Sequence, residues 1–271
     1  MAVSAVLTHP PPRTARASLI RGGVAFAAAL GGAEAVYRVI GPLAGAVCFA
    51  VIFLVMVQLA VLVGARGATG SESAAILVAA SLVPLDRLLV LSAPIMPSLR
   101  LYPNALWVIP MGLTSVYAYR ARWIPGTRPW LLRLPRPGWP TLAIQAGVAI
   151  AGAGLGVLAA HTLRYTGPHV LIYADADKWI GAALFALAGA ADELAWRGVL
   201  QRIAADAMGP LGVAACFVAS AYVCVAWMGF GAAVPVIVLS ALTSVVVYQT
   251  RCLTGAVGGH LLLNLLLVML R

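Results

Sequence analysis

Charge is what this chain has least of. Asp, Glu, Lys and Arg make up only 10% of its 271 residues, against about 25% in a soluble domain. Hydrophobic residues reach 62%, and the mean hydropathy is +0.98. So little polar surface cannot enclose so much apolar volume, which excludes a water-soluble globule. The fold class expected is all-α, a polytopic transmembrane helical bundle of about 8–9 spans, each near the ~20 residues that cross a bilayer.

Acidic residues are scarcer still: 8 against 18 Lys and Arg, for a formal net charge of +10. In a soluble chain that balance points to nucleic acid. Here the basic residues sit at the ends of apolar runs without interleaved aromatics, so no nucleic-acid partner is expected. They read as topogenic charges facing the cytoplasm. The basic loop is also placed to touch anionic headgroups, which makes membrane lipid the expected partner. Cysteine is sparse as well. Cys48, Cys216, Cys224 and Cys252 show no C-x-x-C spacing and lie in or beside apolar runs. That excludes a disulfide framework and a thiolate metal site.

Residues 1–18, with Pro10, Pro11, Pro12, Arg13 and Arg16, read as a disordered cytoplasmic tail. Front transmembrane helices occupy 19–120, in apolar runs at 19–40, 41–64, 73–95 and 98–120. The first run contains Glu34 and Arg38 at i, i+4, a spacing that pairs them on a helix. It also imitates a cleavable leader, with Ala33-Glu34-Ala35 as a small-x-small site, but another span follows at once. Residues 121–140 form a basic cytoplasmic loop. It carries Arg122, Arg128, Arg133 and Arg136 among Pro125, Pro129, Pro135, Pro137 and Pro140, which break helices.

The back half, 141–271, holds runs at 141–163, 178–203, 209–228, 231–249 and 253–270. With the basic loop in the cytoplasm, Arg66, Arg197, Arg202 and Arg251 fall on the same side, provided 19–40 crosses. That arrangement has nine helices and a cytoplasmic N-terminus in the cell (plasma) membrane; eight follow if 19–40 lies on the surface. Gly152-Ala153-Gly154-Leu155-Gly156 imitates a nucleotide loop, but no strand precedes it. Gly147, Gly152 and Gly156 with Ala143 and Ala151 read instead as a small-residue face for close helix packing.

Against this background Asp192-Glu193-Leu194-Ala195-Trp196-Arg197 stands out. Ionisable side chains at membrane depth cost roughly 2.5–3.5 kcal/mol each and usually face the bundle interior. On a helix Glu193 and Arg197 are i, i+4 neighbours and form an ion pair. Asp192 points about 100° away from that pair, where a carboxylate in a low-dielectric pocket can serve as a general base. The bland alternative is a helix end whose charges reach the headgroups. Inside the last run, His260 and Asn264 share one face. Both can donate to a developing oxyanion; a packing histidine bonded to a carbonyl is the bland alternative. Adjacent Asp86 and Arg87 diverge on a helix, and each is expected to find a partner in the bundle. Tyr248 and Arg251 lie at a cytoplasmic mouth or an ordinary helix end.

These residues resemble the CAAX-protease and bacteriocin-processing (CPBP) family, the type II prenyl endopeptidase group of intramembrane proteases. Its first motif, E-E-x-x-x-R, corresponds to Asp192 through Arg197, followed here by Gly198-Val199-Leu200. Its last motif, H-x-x-x-N, is matched in full from His260 to Asn264, and the approach from Tyr248 to Gly255 is similar too. The resemblance covers roughly 178–270. It departs twice. The middle motif, F-x-x-x-H, has no histidine here; the equivalent position is Trp227 or Met228. The first glutamate is Asp192, one methylene shorter, and a displacement of about 1 Å can cost about 100-fold.

The resemblance implies an intramembrane endopeptidase acting on a membrane-associated peptide or protein substrate. Asp192 would be the general base on water, helped by Glu193; Arg197 would hold Glu193; His260 and Asn264 would steady the oxyanion. One histidine and two acids fall short of a catalytic zinc set, so no cofactor is expected, with a divalent metal as the alternative. The alternative function is a catalytically degenerate, non-enzymatic binding or scaffold protein of the same fold. In that case Glu193, Arg197, His260 and Asn264 persist as a buried polar network. A small transporter, the third reading, needs broken helices at mid-membrane, which Pro84 and Pro110 permit.

Overall fold

The computed structural model describes residues 13–65, 68–92, 138–166, 175–228 and 230–270. Among them the secondary structure is helical, without strands. The front unit comprises α1 (Arg13–Ile40), α2 (Pro42–Gly64) and α3 (Ala68–Ser92). The helix therefore takes in residues 13–18, which the sequence assigned to a disordered tail. The Arg- and Ala-containing stretch from Arg13 suits a helix. The expected span at 98–120 and nearly all of the 121–140 loop lie outside the described residues.

Gly41, at φ 127°, turns α1 into α2, and Pro42 takes up the first helical position, where its missing N–H costs nothing. A Cβ on Gly45 would sit 2.5 Å from Tyr37 Cβ, so glycine lets the two helices close. Ala33, Phe49 and Leu91 form a small core between α1, α2 and α3. Glu34 is buried beside it. Arg38 Nε donates to Glu34 at 3.3 Å, as the i, i+4 spacing predicts. Arg87, from 53 residues away, donates to the same carboxylate from Nε at 3.0 Å and Nη2 at 2.8 Å. The Arg87 guanidinium also lies 4.8 Å from the centroid of the Tyr37 ring. Arg87 thus has the bundle partner the sequence demanded. Pro84 lies inside α3, which continues to Ser92, so the broken helix a transporter needs is not formed there.

In the back half α4 spans Trp139–Thr166. Its first residues, Trp139 and Pro140, come from the end of the expected loop; proline is tolerated in a first turn. Then comes one continuous rod: α5 (Asp175–Glu193), a π-helical turn (Leu194–Leu200) and α6 (Gln201–Met208). Gly209, at φ 61°, ends it and Pro210 opens α7 (Pro210–Met228), followed by α8 (Phe230–Thr250) and α9 (Thr254–Met269).

The small-residue face of α4 packs on α9, as expected. A Cβ on Gly152 would collide with the carbonyl of Gly259, and one on Gly156 would lie 2.6 Å from the Leu263 carbonyl oxygen. Gly147 and Gly154 meet nothing within 4 Å and take no part. Gly152→Val is therefore expected to push the two helices apart. Overpacking costs about 1–3 kcal/mol, occasionally more. Thermal unfolding in detergent checks this, with Gly154→Val as the unchanged control.

Among the described residues four segments, Ile20–Ile40, Pro42–Gly64, Trp139–Thr162 and Ala233–Thr250, are long and apolar enough to cross a membrane. The outside of the bundle is apolar: Val24, Val39, Leu62, Ile150 and Leu211 are exposed. Glu34, Arg87, Glu193, Arg197, His260 and Asn264 are buried. Polar groups inside and apolar groups outside are the arrangement that lipid enforces, and the chain is an integral membrane protein.

Candidate active site

Gly189 sets the geometry. A Cβ there would lie 2.6 Å from Asn264 Nδ2 and 2.7 Å from His260 Cδ2, so only glycine lets α9 approach α5 with both polar side chains between them. Glu193 is one turn beyond Gly189 and shares its face. His260 Nδ1 consequently meets Glu193 Oε1 at 3.1 Å, across 67 residues of sequence. The carboxylate is 2% exposed. Asn264, one turn along α9, donates from Nδ2 to the Phe185 carbonyl at 2.9 Å.

Glu193 is also held from the other side. Arg197 Nε lies 3.5 Å from Glu193 Oε2, the i, i+4 ion pair the sequence predicts. Arg197 Nη2 donates to the Ser240 carbonyl at 3.2 Å and to the Ser240 hydroxyl. Ser240 Oγ is 3.1 Å from Ser220 Oγ on α7, and Thr243 Oγ1 donates to the Ser240 carbonyl at 3.2 Å. One turn further along the rod, Gln201 Nε2 donates to the Ser244 carbonyl at 2.9 Å. A polar network thus joins α5, the π turn, α6, α7, α8 and α9 around one carboxylate.

The π turn follows immediately after Glu193. Here the Gln201 N–H bonds to the Trp196 carbonyl, five residues back, and the same oxygen accepts from the Cys216 thiol at 3.7 Å. Such wide turns recur at functional sites. Gly198 lies under Leu253, whose Cδ1 would be 3.2 Å from a Cβ there. Leu253 belongs to the α8–α9 turn, where Arg251 adopts φ 57°. Gln145 of α4 braces that turn: Nε2 donates to Thr250 Oγ1 at 3.1 Å and Oε1 accepts the Gly255 N–H at 2.6 Å.

The structure brings together Glu193, Arg197 and His260. Asn264 shares the His260 face, but its amide is bonded to the α5 main chain. Asp192 is half-buried at the neighbouring position. The sequence named Asp192 as base, helped by Glu193, and paired Glu193 with Arg197, as the structure does; it named no carboxylate for His260, which meets Glu193. The reason is rotational, because α9 packs on the Gly189 face and Glu193 shares it. Gln145, Gln201, Ser220, Ser240, Thr243 and Ser244 were not anticipated. Isolated hydroxyl and amide side chains are common in apolar helices, and the spacing of Ser240, Thr243 and Ser244 was the one available signal. Among the described residues, no three His, Cys, Asp or Glu side chains group to hold a metal, whereas a catalytic zinc takes three protein ligands.

Compared with known proteins, residues 175–266 match the family described as type II CAAX prenyl endopeptidase Rce1-like. No curated protein and no solved structure matches the chain. The matched segment begins with α5, ends within α9 and contains Asp192, Glu193, Arg197, His260 and Asn264. Over this segment, which carries the whole Glu193–Arg197–His260 cluster, the chain is similar to the CPBP/CAAX protease family.

Proposed function

We propose that the chain is an intramembrane endopeptidase that cleaves a peptide bond of a membrane-associated substrate with a carboxylate-activated water. The observation that carries this reading is the buried Glu193–His260 contact, at 3.1 Å, with a second carboxylate at the preceding residue, Asp192. Burying such groups is costly, and function is the usual reason.

In the mechanism Asp192 takes a proton from water as the oxygen attacks the scissile carbonyl carbon. Glu193 accepts the Nδ1–H of His260, which fixes the orientation of the ring. Carrying protons on both ring nitrogens, His260 then donates from Nε2 to the oxyanion of the tetrahedral intermediate. Asn264 keeps a second amide hydrogen for the same oxygen. Asp192 returns the proton to the leaving nitrogen as the C–N bond breaks, giving a carboxylic acid and an amine. Arg197 balances the Glu193 charge and takes no part in the bond changes. No cofactor enters the scheme. The partners are membrane lipid and the membrane-associated substrate.

The test is cleavage of a lipid-anchored peptide by the protein in liposomes. Wild type is expected to cleave and Asp192→Asn is not. The second reading, a non-enzymatic binding or scaffold protein, is favoured by one observation: the helix that carries the family's middle histidine has Trp227 and Met228 there. It prevails if wild type and Asp192→Asn are equally inert and equally able to bind the peptide.

The proposed setting is the plasma membrane with a cytoplasmic N-terminus, because Arg120, Arg122, Arg128, Arg133 and Arg136 cluster in sequence. A cysteine introduced at Gly126 is expected to react only with reagents that enter the cytoplasm. Labelling from outside intact cells reverses the orientation and moves the site to the outer face.

A further inference from the structure

One set of buried polar atoms has no task in the chemistry above. Gln201 on α6 and Ser244 on α8 are each 2% exposed. Gln201 Nε2 donates to the Ser244 carbonyl. Among the described residues, nothing hydrogen-bonds to Gln201 Oε1 or Ser244 Oγ. Glu193 Oε2 and Arg197 Nε meet as an ion pair without hydrogen-bond geometry, with the Thr243 hydroxyl beside the carboxylate. Buried polar atoms nearly always bond to protein or to water, and leaving them dry is costly.

These four atoms are aligned. Arg197 reaches Ser240 while Gln201 reaches Ser244, so the rod and α8 run in the same direction and touch at matching steps of four residues. The atoms follow one seam from Glu193 toward the end of α8, where Gln249 and Arg251 are exposed. Their chemistry is mixed: two acceptors (Glu193 Oε2 and Gln201 Oε1), one donor (Arg197 Nε) and one hydroxyl that does both. That mixture suits water, which takes two to four polar partners of either kind. It does not suit an ion of one sign.

We propose that the seam between the rod and α8 is a water site: Gln201 Oε1 and Ser244 Oγ hold water there, and the seam supplies the water consumed at the carboxylates. The second half of this statement rests on the hydrolytic reading. Gln201 and Ser244 are then positioning residues, acting on the reaction through the water they hold.

An experimental structure in lipid nanodiscs, at a resolution that shows ordered water, tests the site itself. Water within hydrogen-bond distance of both Gln201 Oε1 and Ser244 Oγ is the expected result. A dry seam, or protein donors on both atoms, overturns it. The supply role is tested by Ser244→Ala, expected to lower kcat roughly fivefold with KM unchanged, the scale of one net hydrogen bond. Ser244→Thr, which keeps the hydroxyl, should restore it. Unchanged turnover in Ser244→Ala overturns the supply role. An inert wild type with a wet seam sinks the hydrolytic reading and with it the supply role, but keeps the water site; an active wild type with a dry seam does the reverse.

Discussion

His260→Ala is expected to abolish cleavage while leaving a folded, membrane-inserted protein. The ring is buried with Nδ1 on Glu193 and Nε2 assigned to the oxyanion, so its loss removes both the donor and the group that Glu193 positions. Groups of this kind contribute about 10²–10⁴-fold each. Asp192→Asn is expected to fall in the same range, since an amide cannot take the proton. The double variant should be hardly worse than either single one, because residues that act as one unit are strongly non-additive. Turnover of the lipid-anchored peptide by all four proteins measures this. Losses that multiply, or a single variant that keeps most of its activity, would show that the two residues do not serve one step.

Arg197→Ala is expected to fail at folding, before any chemistry is reached. Arg197 is 3% exposed and links Glu193 to Ser240, hence the rod to α8. Removing one partner of a buried ion pair costs about 3–5 kcal/mol, because the other charge stays behind without its counter-ion. The expected result is a low folded yield and a lowered midpoint of thermal unfolding in detergent. The paired change Arg197→Met with Glu193→Gln should recover part of that stability, since it removes both charges, and should remain inactive. An Arg197→Ala protein with normal yield and an unchanged midpoint would contradict the structural role assigned to the pair.

Contacts within one helix were legible in the sequence; contacts between helices mostly were not. The Glu34–Arg38 and Glu193–Arg197 pairs follow from a spacing of four residues, and the apolar runs locate most of the described helices. The face of α4 could be read from Gly152 and Gly156 because glycine at such spacing has few other uses in a membrane. The Arg87–Glu34 bond could not, since it joins residues 53 positions apart and depends on how α1 crosses α3. For the same reason the sequence named no partner for His260. The motif supplies two adjacent carboxylates, and only the packing at Gly189 decides which one α9 meets. The serines of α7 and α8 were invisible for another reason: a hydroxyl can satisfy itself on its own helix, as Ser220 does on the Phe217 carbonyl, and so leaves little trace in the composition.

The wide turn at Leu194–Leu200 has a consequence for how one helix can serve two neighbours. In a regular helix, adding one residue to a single turn rotates everything after it by about 100°. In a regular helix Glu193 and Gln201 would therefore stand about 80° apart around the axis, and the extra residue brings that to about 20°. Glu193, Arg197 and Gln201 are thereby kept in one row, which meets α9 at Glu193 and α8 at Arg197 and Gln201. A regular helix of the same sequence would carry the row round its axis before it reached Ser244. The carboxylate and the seam that leads to it are thus aligned by the winding of the main chain itself.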